Sequence, residues 1–451
     1  MKFLYADSLD YVDPNYNFLE DRSSPGREPY WDDQFMHEYL GEAPCDGYLI
    51  SRGIVGDHKF SGTYTQSQAQ RFRRDGARKF LRIDNEKFDH LMLMGDCGAY
   101  SYHKENIPPY TPREILEFYE DGKFSHGCSV DHIIFAFDKN LKGMEALRDP
   151  GNTDAGIQTK ERWDITQENA EAFFKESSQM TTGFTPLGVI QGWSPGSMAK
   201  AAHNMVAMGY DYLALGGMAV SNAETIQCAL EEIRKQIPDY VKLHLLGFGK
   251  IDQVKDFLNY GIATIDTTSP MLRAFKDSKN NYFSIEDTEK LTSYTAIRIP
   301  QAIESRGLKV LAQRGIFTQE FLIKQEKDAL AALRDFDAGV LDIETTLNLI
   351  MAYTKSTLFN PKSESPPAQI KLNNITDDYR RTLENKPWKT CPCPVCKEVS
   401  VEVIIFRASN RNKRRGMHNT WVFNQKMQKL RGRKSQNDET GVIYGDQSQA
   451  K

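Results

Sequence analysis

Eight short apolar runs, spread over the first 270 residues with helix-patterned stretches between several of them, constrain the fold of this chain more than any other feature. They are Phe3 to Ala6, Tyr48 to Ile50, Leu91 to Met94, Ile133 to Phe137, Leu187 to Ile190, Tyr212 to Leu215, Leu243 to Leu246 and Ala263 to Ile265. Helical spacing occupies Pro112 to Phe118, Glu168 to Lys175, Ser197 to Met208, Ala223 to Gln236 and Asp252 to Leu258. Strands that alternate with helices make parallel βαβ units, because parallel neighbours need a crossover and a helix supplies it. Eight such repeats favour an α/β architecture closed into a (β/α)8 TIM-type barrel, with an open doubly wound sheet as the competitor. No GxGxxG opens a helix, which argues against a dinucleotide site.

Beyond the barrel, residues 1–275 in this reading, the pattern changes. From Ile285 to Tyr353 it is helical without strands: Leu322, Ala329, Leu330 and Leu333 share a face, and Ile343, Leu347, Ile350 and Met351 repeat the spacing after Gly339. Ser284 with Asp287 resembles a capping box. The expected plan is a helical insertion over 276–354 and a linker with little regular structure over 355–387. A zinc-binding basic subdomain over 388–434 and a flexible tail over 435–451 follow. With 40% apolar and 26% charged residues the chain is neither disordered nor fibrous. It has no run of about 18 apolar residues and no basic-then-apolar start, so a soluble cytoplasmic protein without membrane contact is expected.

Three of the seven cysteines, Cys391, Cys393 and Cys396, crowd into six positions, which reads as metal binding in a reducing compartment. No further Cys follows them, and His418 is the one downstream His, hence the fourth ligand of a closed Cys3His site. A closed tetrahedron leaves no position for water, so Zn2+ is expected to be structural. The net charge is −4, yet Arg407 to Lys434 holds ten Lys/Arg and no Asp or Glu, leaving −14 on the rest. A surplus of that kind suggests a docked polyanion, or else a solvated tail.

In a barrel, the residues just past the strand C-termini converge on one pocket. Here those positions hold Asp96, Cys97, Gly98, Ala99 and Tyr100, then Asp138, Lys139 and Asn140, then Gln191, Gly192 and Trp193. Gly216, Gly217, Met218, Ala219 and Val220 follow the sixth strand, Leu246 to Gly249 the seventh, and Asp266 to Thr268 the eighth. A guanine offers N1–H and an amine to a carboxylate and an O6 to a donor. Asp138, Gln191 and the Gly217 amide suit those edges, and Tyr100 can stack on the ring. Two further carboxylates, Asp96 and Asp266, suffice for glycosidic chemistry, one attacking the anomeric carbon and one shuttling a proton. Each Asp taken alone also fits a helix N-cap, and Cys97 fits a small packed residue better than a nucleophile.

These segments, in this order, resemble the tRNA-guanine transglycosylase superfamily. The likeness runs through Asp96-Cys97-Gly98-Ala99-Tyr100, Phe137-Asp138-Lys139-Asn140, Ile190-Gln191-Gly192, Gly216-Gly217-Met218-Ala219-Val220, Ile265-Asp266-Thr267 and the C-x-C-x2-C…H cluster. It covers roughly residues 45 to 275 and 388 to 425. The resemblance implies Asp266 as nucleophile and Asp96 as general acid/base. It implies a base site of Tyr100, Asp138, Gln191, Gly216, Gly217, Met218 and Leu246, and a zinc unit that helps hold nucleic acid. Phosphate contact would fall to Arg407, Arg411, Lys413, Arg414 and Arg415. Ser101, Asn140 and Trp193 depart from the family pattern and bear on which 7-substituted base is accepted.

Within the superfamily the chain looks like the DpdA-type DNA 7-deazaguanine transglycosylases. The opening segment YADSLDYVDPNYNFLEDRSSPGREPYWDDQF and the 125 residues between Asp266 and Cys391 point there, and only 33 residues follow His418, too few for added archaeal domains. The implied function is exchange of guanine in DNA for a preQ0-like base, with partner proteins of a modification system, one of them ATP-using. The alternatives are the same chemistry on tRNA, a non-catalytic nucleic-acid-binding subunit, and a metabolic barrel enzyme for a small phosphorylated substrate. The presence of both Asp96 and Asp266 argues against the subunit, and the metal cluster and basic stretch would be idle in the metabolic enzyme.

Overall fold

The computed structural model describes residues 1–141, 154–181, 183–219, 221–286, 288, 290–359 and 366–439. Eight parallel strands close into a barrel: β1 (Lys2–Ala6), β2 (Gly47–Ser51), β3 (Met92–Asp96), β4 (His126–Cys128), β5 (Thr185–Ile190), β6 (Tyr212–Leu215), β7 (Lys242–Leu245) and β8 (Ile262–Thr267). Closure comes from β1, where Leu4 lies beside Asp266 of β8 on one side and Gly47 of β2 on the other. Side chains alternate across each strand, so every second residue enters the interior. Leu4, Leu49, Met94, Leu187, Tyr212 and Ala214 meet there in one buried cluster.

The outer helices start where local chemistry tells them to. Helices α1 (Gln66–Asp75) and α2 (Pro112–Gly122) open on Thr65 and Thr111, whose hydroxyls accept the N–H of Gln68 and Glu114 three residues on. After α3 (Asp154–Ser177), α4 (Pro195–Met208) is capped by Ser194 and α5 (Ala223–Gln236) by Asn222. The stretch expected to be helical over Asp252 to Leu258 is a 3-10 helix, Ile251–Tyr260.

One strand was misplaced by the apolar pattern. The fourth barrel strand is His126–Cys128, not Ile133 to Phe137, which runs on without ladder pairing. Side chains replace the ladder there: Thr166 Oγ1 accepts from His132 N–H, Gln191 Oε1 accepts from Ile134 N–H, and Arg162 Nη1 donates to Ile133 O. Ile133 and Ile134 are buried because they pack, not because they pair.

The chain divides into two compact units. One comprises residues 1–9, 45–268 and 424–439 and contains the barrel; the other comprises 10–44 and 269–423. In the second unit, α6 (Gln319–Asp337) and α7 (Ile343–Thr357) pack together through Leu322, Ala329, Leu333, Leu347 and Ile350, all buried. The region is not free of strands: Tyr282–Phe283 pairs with Ser293–Tyr294, and Ile297–Arg298 with Ile405–Phe406. Nor is the expected linker irregular, since α8 (Pro366–Asn385) fills most of it. Its buried stripe is narrow, Tyr379, Thr382 and Leu383, so polar composition hid a helix that one seam holds in place. A long helix, α9 (Ser409–Glu439), ends the described chain; its residues to 423 belong to this unit and those from 424 to the barrel unit. Asp287 of the expected capping box and Val220 lie outside the described residues, as does the tail beyond Glu439.

Candidate active site and metal centre

Met94 lies in the barrel interior, so Asp96, two residues on, returns to the inner face at the C-terminal end of β3. It is partly buried, its Oδ2 accepts the Gly98 N–H at 3.1 Å, and Ser51, its neighbour across the β2–β3 ladder, hydrogen-bonds its side chain. Burial raises the Asp96 pKa, and the negative charge of Asp266 adds to the rise against the pull of Ser51, Gly98 and His244. The two carboxyls are near enough to repel, although 170 positions separate them in the chain.

Asp266 is buried on β8. Its Oδ1 accepts from the Gly247 N–H at 2.8 Å and from His244 Nε2 at 3.1 Å, whereas Oδ2 accepts nothing from the described residues. The two acids therefore stand in different surroundings: Asp96 is biased towards its protonated form, and Asp266 has one oxygen bonded twice and the other bonded to none of the described residues. A carboxyl biased to hold a proton beside one with an uncommitted oxygen suits an acid paired with a nucleophile.

Beside them lies a second buried polar network. Gln191, just past β5, donates from Nε2 to Asp131 Oδ2 at 2.7 Å and accepts the Ile134 N–H at 3.1 Å on Oε1. Asp131 also accepts from Cys97 Sγ at 3.0 Å, and Tyr102 OH lies 3.2 Å from that sulfur. Burial, with Asp96 nearby, pushes the Asp131 carboxyl up to about 6. Burial likewise raises the Cys97 thiol well above its ordinary value, in keeping with a packed residue and not a nucleophile. Gly216 is required where it stands, because a Cβ there would meet Gln191 Nε2 at 2.2 Å; Gly217 adopts φ +73° against the same amide.

The other base-site candidates divide. Met218 is buried and Leu246 half-buried against the interior cluster. Tyr100 is exposed, 5.4 Å ring to ring from His103. Asp138 is exposed as well: its N–H donates to Trp193 O, and its carboxylate accepts the Asn140 N–H of its own turn. The structure thus joins Asp96 to Asp266 and Gln191 to the two glycines, but does not bring the Asp138 carboxylate to either group. Four residues of these networks, Ser51, Tyr102, Asp131 and His244, escaped the sequence reading. The signal for His244 was present, a lone imidazole at an inward position of an otherwise apolar strand.

In the second unit, Cys391, Cys393, Cys396 and His418 are buried with their ligand atoms within 4.8 Å of one another, and the cluster can hold a metal ion. The three sulfurs lie 3.5, 3.4 and 3.4 Å from His418 Nδ1. Tetrahedral coordination with metal–sulfur near 2.3 Å and metal–nitrogen near 2.0 Å implies a separation of about 3.5 Å, so the donor set fits. His418 Nε2 donates to Phe283 O at 2.8 Å, which leaves Nδ1 for the metal, and Tyr282 stacks on the ring.

The arginines expected on phosphate are elsewhere engaged. Arg407, Arg411, Arg414 and Arg415 are 0 to 6% exposed. Arg407 pairs with Asp21 and Glu326, and Arg411 with Asp21 and Glu402. Arg414 bonds Tyr39 and Asp13 O, and Arg415 the carbonyls of Val403, Ile405 and Ala274. Lys413 is half-buried, 3.2 Å from Tyr11 O. The expected phosphate contact is therefore corrected at the four buried arginines, whose guanidinium groups are engaged inside the protein, Arg407 and Arg411 by acids and Arg414 and Arg415 mainly by carbonyls; Lys413 keeps part of its surface. In the barrel unit Arg431 pairs with Asp46 and Lys426 with Asp252.

No family model matches the chain. It is, however, 35% identical over 432 residues to a protein of Salmonella montevideo named DNA-guanine transglycosylase, an alignment that covers 95% of this chain and 97% of the other. With a closed eight-stranded barrel and paired carboxyls at its mouth, the chain is a pentosyltransferase of the guanine transglycosylase class. Within that class it belongs to the DNA-guanine transglycosylase family.

Proposed function

We propose that this protein replaces guanine in DNA with a 7-deazaguanine base of the preQ0 type, through a covalent bond between Asp266 and the deoxyribose. The carrying observation is the pair of carboxyls at the C-terminal ends of β3 and β8, the Asp96 pKa raised by burial and by the charge of Asp266, and Asp266 bonded through Oδ1 alone among the described residues. Asp266 attacks C1′ as the C1′–N9 bond breaks, the electron pair leaves with the base, and Asp96 delivers a proton to it. In the return step the incoming base gives its N9 proton to Asp96 and attacks C1′, and the bond to Asp266 breaks. Gln191, Gly217 and Met218 frame the base, with Gly216 keeping room for Gln191. Tyr100 and Leu246 complete the site, and Asp138 reaches the base edge only if its loop turns inward.

A guanine in duplex DNA has to leave the stack before C1′ can be reached, at a cost of a few kcal/mol. Help from partner proteins of a modification system is consistent with that demand. Zinc is the proposed ion of the Cys3His cluster, where four protein ligands leave no site for water and give it a structural role. Among the described residues no helix is long and apolar enough to cross a membrane. The proposal is tested by incubating the protein with labelled preQ0 and either DNA or tRNA, then measuring label in digested nucleosides. Label in DNA supports it; label confined to tRNA replaces it with the tRNA reading.

A further inference from the structure

A chain of buried polar groups leads to the free-standing acid of the barrel. His244, on β7, is fully buried. Its Nε2 lies 3.1 Å from Asp266 Oδ1, its Nδ1 2.6 Å from Thr264 Oγ1, and that hydroxyl 2.5 Å from Tyr212 OH. The proton on each link follows from what each group can do. An ionised carboxylate only accepts, so Nε2 must carry hydrogen. In the tautomer with its one hydrogen on Nε2, Nδ1 accepts from Thr264, whose oxygen then accepts from Tyr212. The sequence Tyr212 to Thr264 to His244 to Asp266 thus runs in one direction and locks one tautomer.

We propose that His244 is a positioning residue that divides the labour between the two oxygens of Asp266. Its Nε2–H and the Gly247 N–H occupy Oδ1, so Oδ2, which accepts nothing from the described residues, is the oxygen that attacks C1′. In the covalent intermediate Oδ1 becomes the ester carbonyl oxygen and keeps both donors. When the incoming base displaces Asp266, the C1′–Oδ2 electron pair returns to a carboxylate that those donors already stabilise. His244 touches neither base nor sugar in this scheme and acts through Asp266 alone. The inference rests on the proposed role of Asp266 and adds to it.

The test uses the full chain, heat-denatured genomic DNA and labelled guanine, with Asp266→Asn run beside the His244 variants. His244→Phe keeps a ring and loses the donor; it should lower kcat for guanine exchange roughly a hundredfold, the usual cost of losing one such donor. KM for guanine should change less than about threefold, and covalent protein–DNA adduct should fall in step with kcat. His244→Gln can present an amide N–H near the Nε2 position and should recover most of the lost rate. If the Phe variant does not fold, Thr264→Val, which removes only the hydroxyl that locks the tautomer, should slow exchange severalfold. Exchange within threefold of wild type in His244→Phe overturns the proposal, as does a Gln variant no better than Phe, or an unaffected Val variant. Residual exchange in Asp266→Asn instead overturns the nucleophile assignment, so the two failures are told apart.

Discussion

The barrel mouth and the metal-and-arginine region of the second unit both carry chemistry-bearing residues, yet they relate to the sequence in opposite ways. At the mouth, strand ends deliver residues to one end of the barrel whatever their neighbours are, so Asp96 and Asp266 come near enough to interact across 170 positions because the barrel closes. In the second unit the cysteines are also placed by local spacing, but the arginines between the third cysteine and His418 are not. Their charge looked available because no acid lies among them from Arg407 to Lys434. Asp21 and Glu326, from distant segments, neutralise Arg407 and Arg411 in the folded chain. Topology can be read from a pattern, whereas accessible charge is a property of the finished packing.

The largest effect should come from the mouth. Asp266→Ala removes the oxygen proposed to attack C1′, and guanine exchange should drop by about four orders of magnitude with no trapped adduct on a denaturing gel. DNA affinity should stay within a few-fold, because the acid bonds to Gly247 and His244 and is not placed as a phosphate contact. Wild-type exchange in this variant would dissolve the account of the mouth.

Metal removal comes next, and acts on the other region. Cys393→Ser, or a strong chelator, should strip about one zinc per chain and destabilise the second unit, since structural sites of this kind contribute folding energy directly. Metal analysis and thermal unfolding check both points. Retention of full stability without metal would reduce the cluster to ordinary packed thiols.

Arg411→Gln separates a buried ion pair from a phosphate contact. Loss of the guanidinium leaves Asp21 with Arg407 alone and Glu402 with Arg334 alone, and should cost about 3 kcal/mol in denaturant unfolding. A phosphate contact would instead lower the salt slope of DNA binding by about one at unchanged stability. That second result would reinstate the basic stretch as an interface.

Much of this was legible beforehand. Seven of the eight barrel strands fall on the apolar runs, and the buried cluster that can hold a metal is the one expected from three cysteines and one histidine. What was not legible shares a cause. Ile133 to Phe137 looks like a strand because it is apolar, but Gln191 and Arg162 bond its backbone and Thr166 that of His132 before it, and side chains from α3 and the end of β5 leave no local trace. The helix over Pro366–Asn385 was missed for the converse reason: three buried residues suffice to dock it, too few to stand out in a polar stretch.

Asp131 offers the smallest effect and the finest test, because it was invisible in the sequence and its pKa is pushed up to about 6 by burial. A raised folded-state pKa means that the folded protein holds this proton more tightly than the unfolded chain, whose ordinary value is 3.8. The stabilising contribution is full below pH 4 and is lost as the pH rises through about 6, so above neutrality the native protein carries the whole cost of a buried charge. Asp131→Asn has no proton to lose and can still offer an oxygen to Gln191. The stability of the variant relative to wild type should therefore climb by about 2 to 3 kcal/mol between pH 4 and pH 8, read from urea unfolding at each pH. A flat difference would mean that Asp131 keeps its charge without penalty. The network that orients Gln191 would then be an ordinary ionised hydrogen bond, and the polar lining of the mouth would be less dry than the packing around Cys97 and Tyr102 implies.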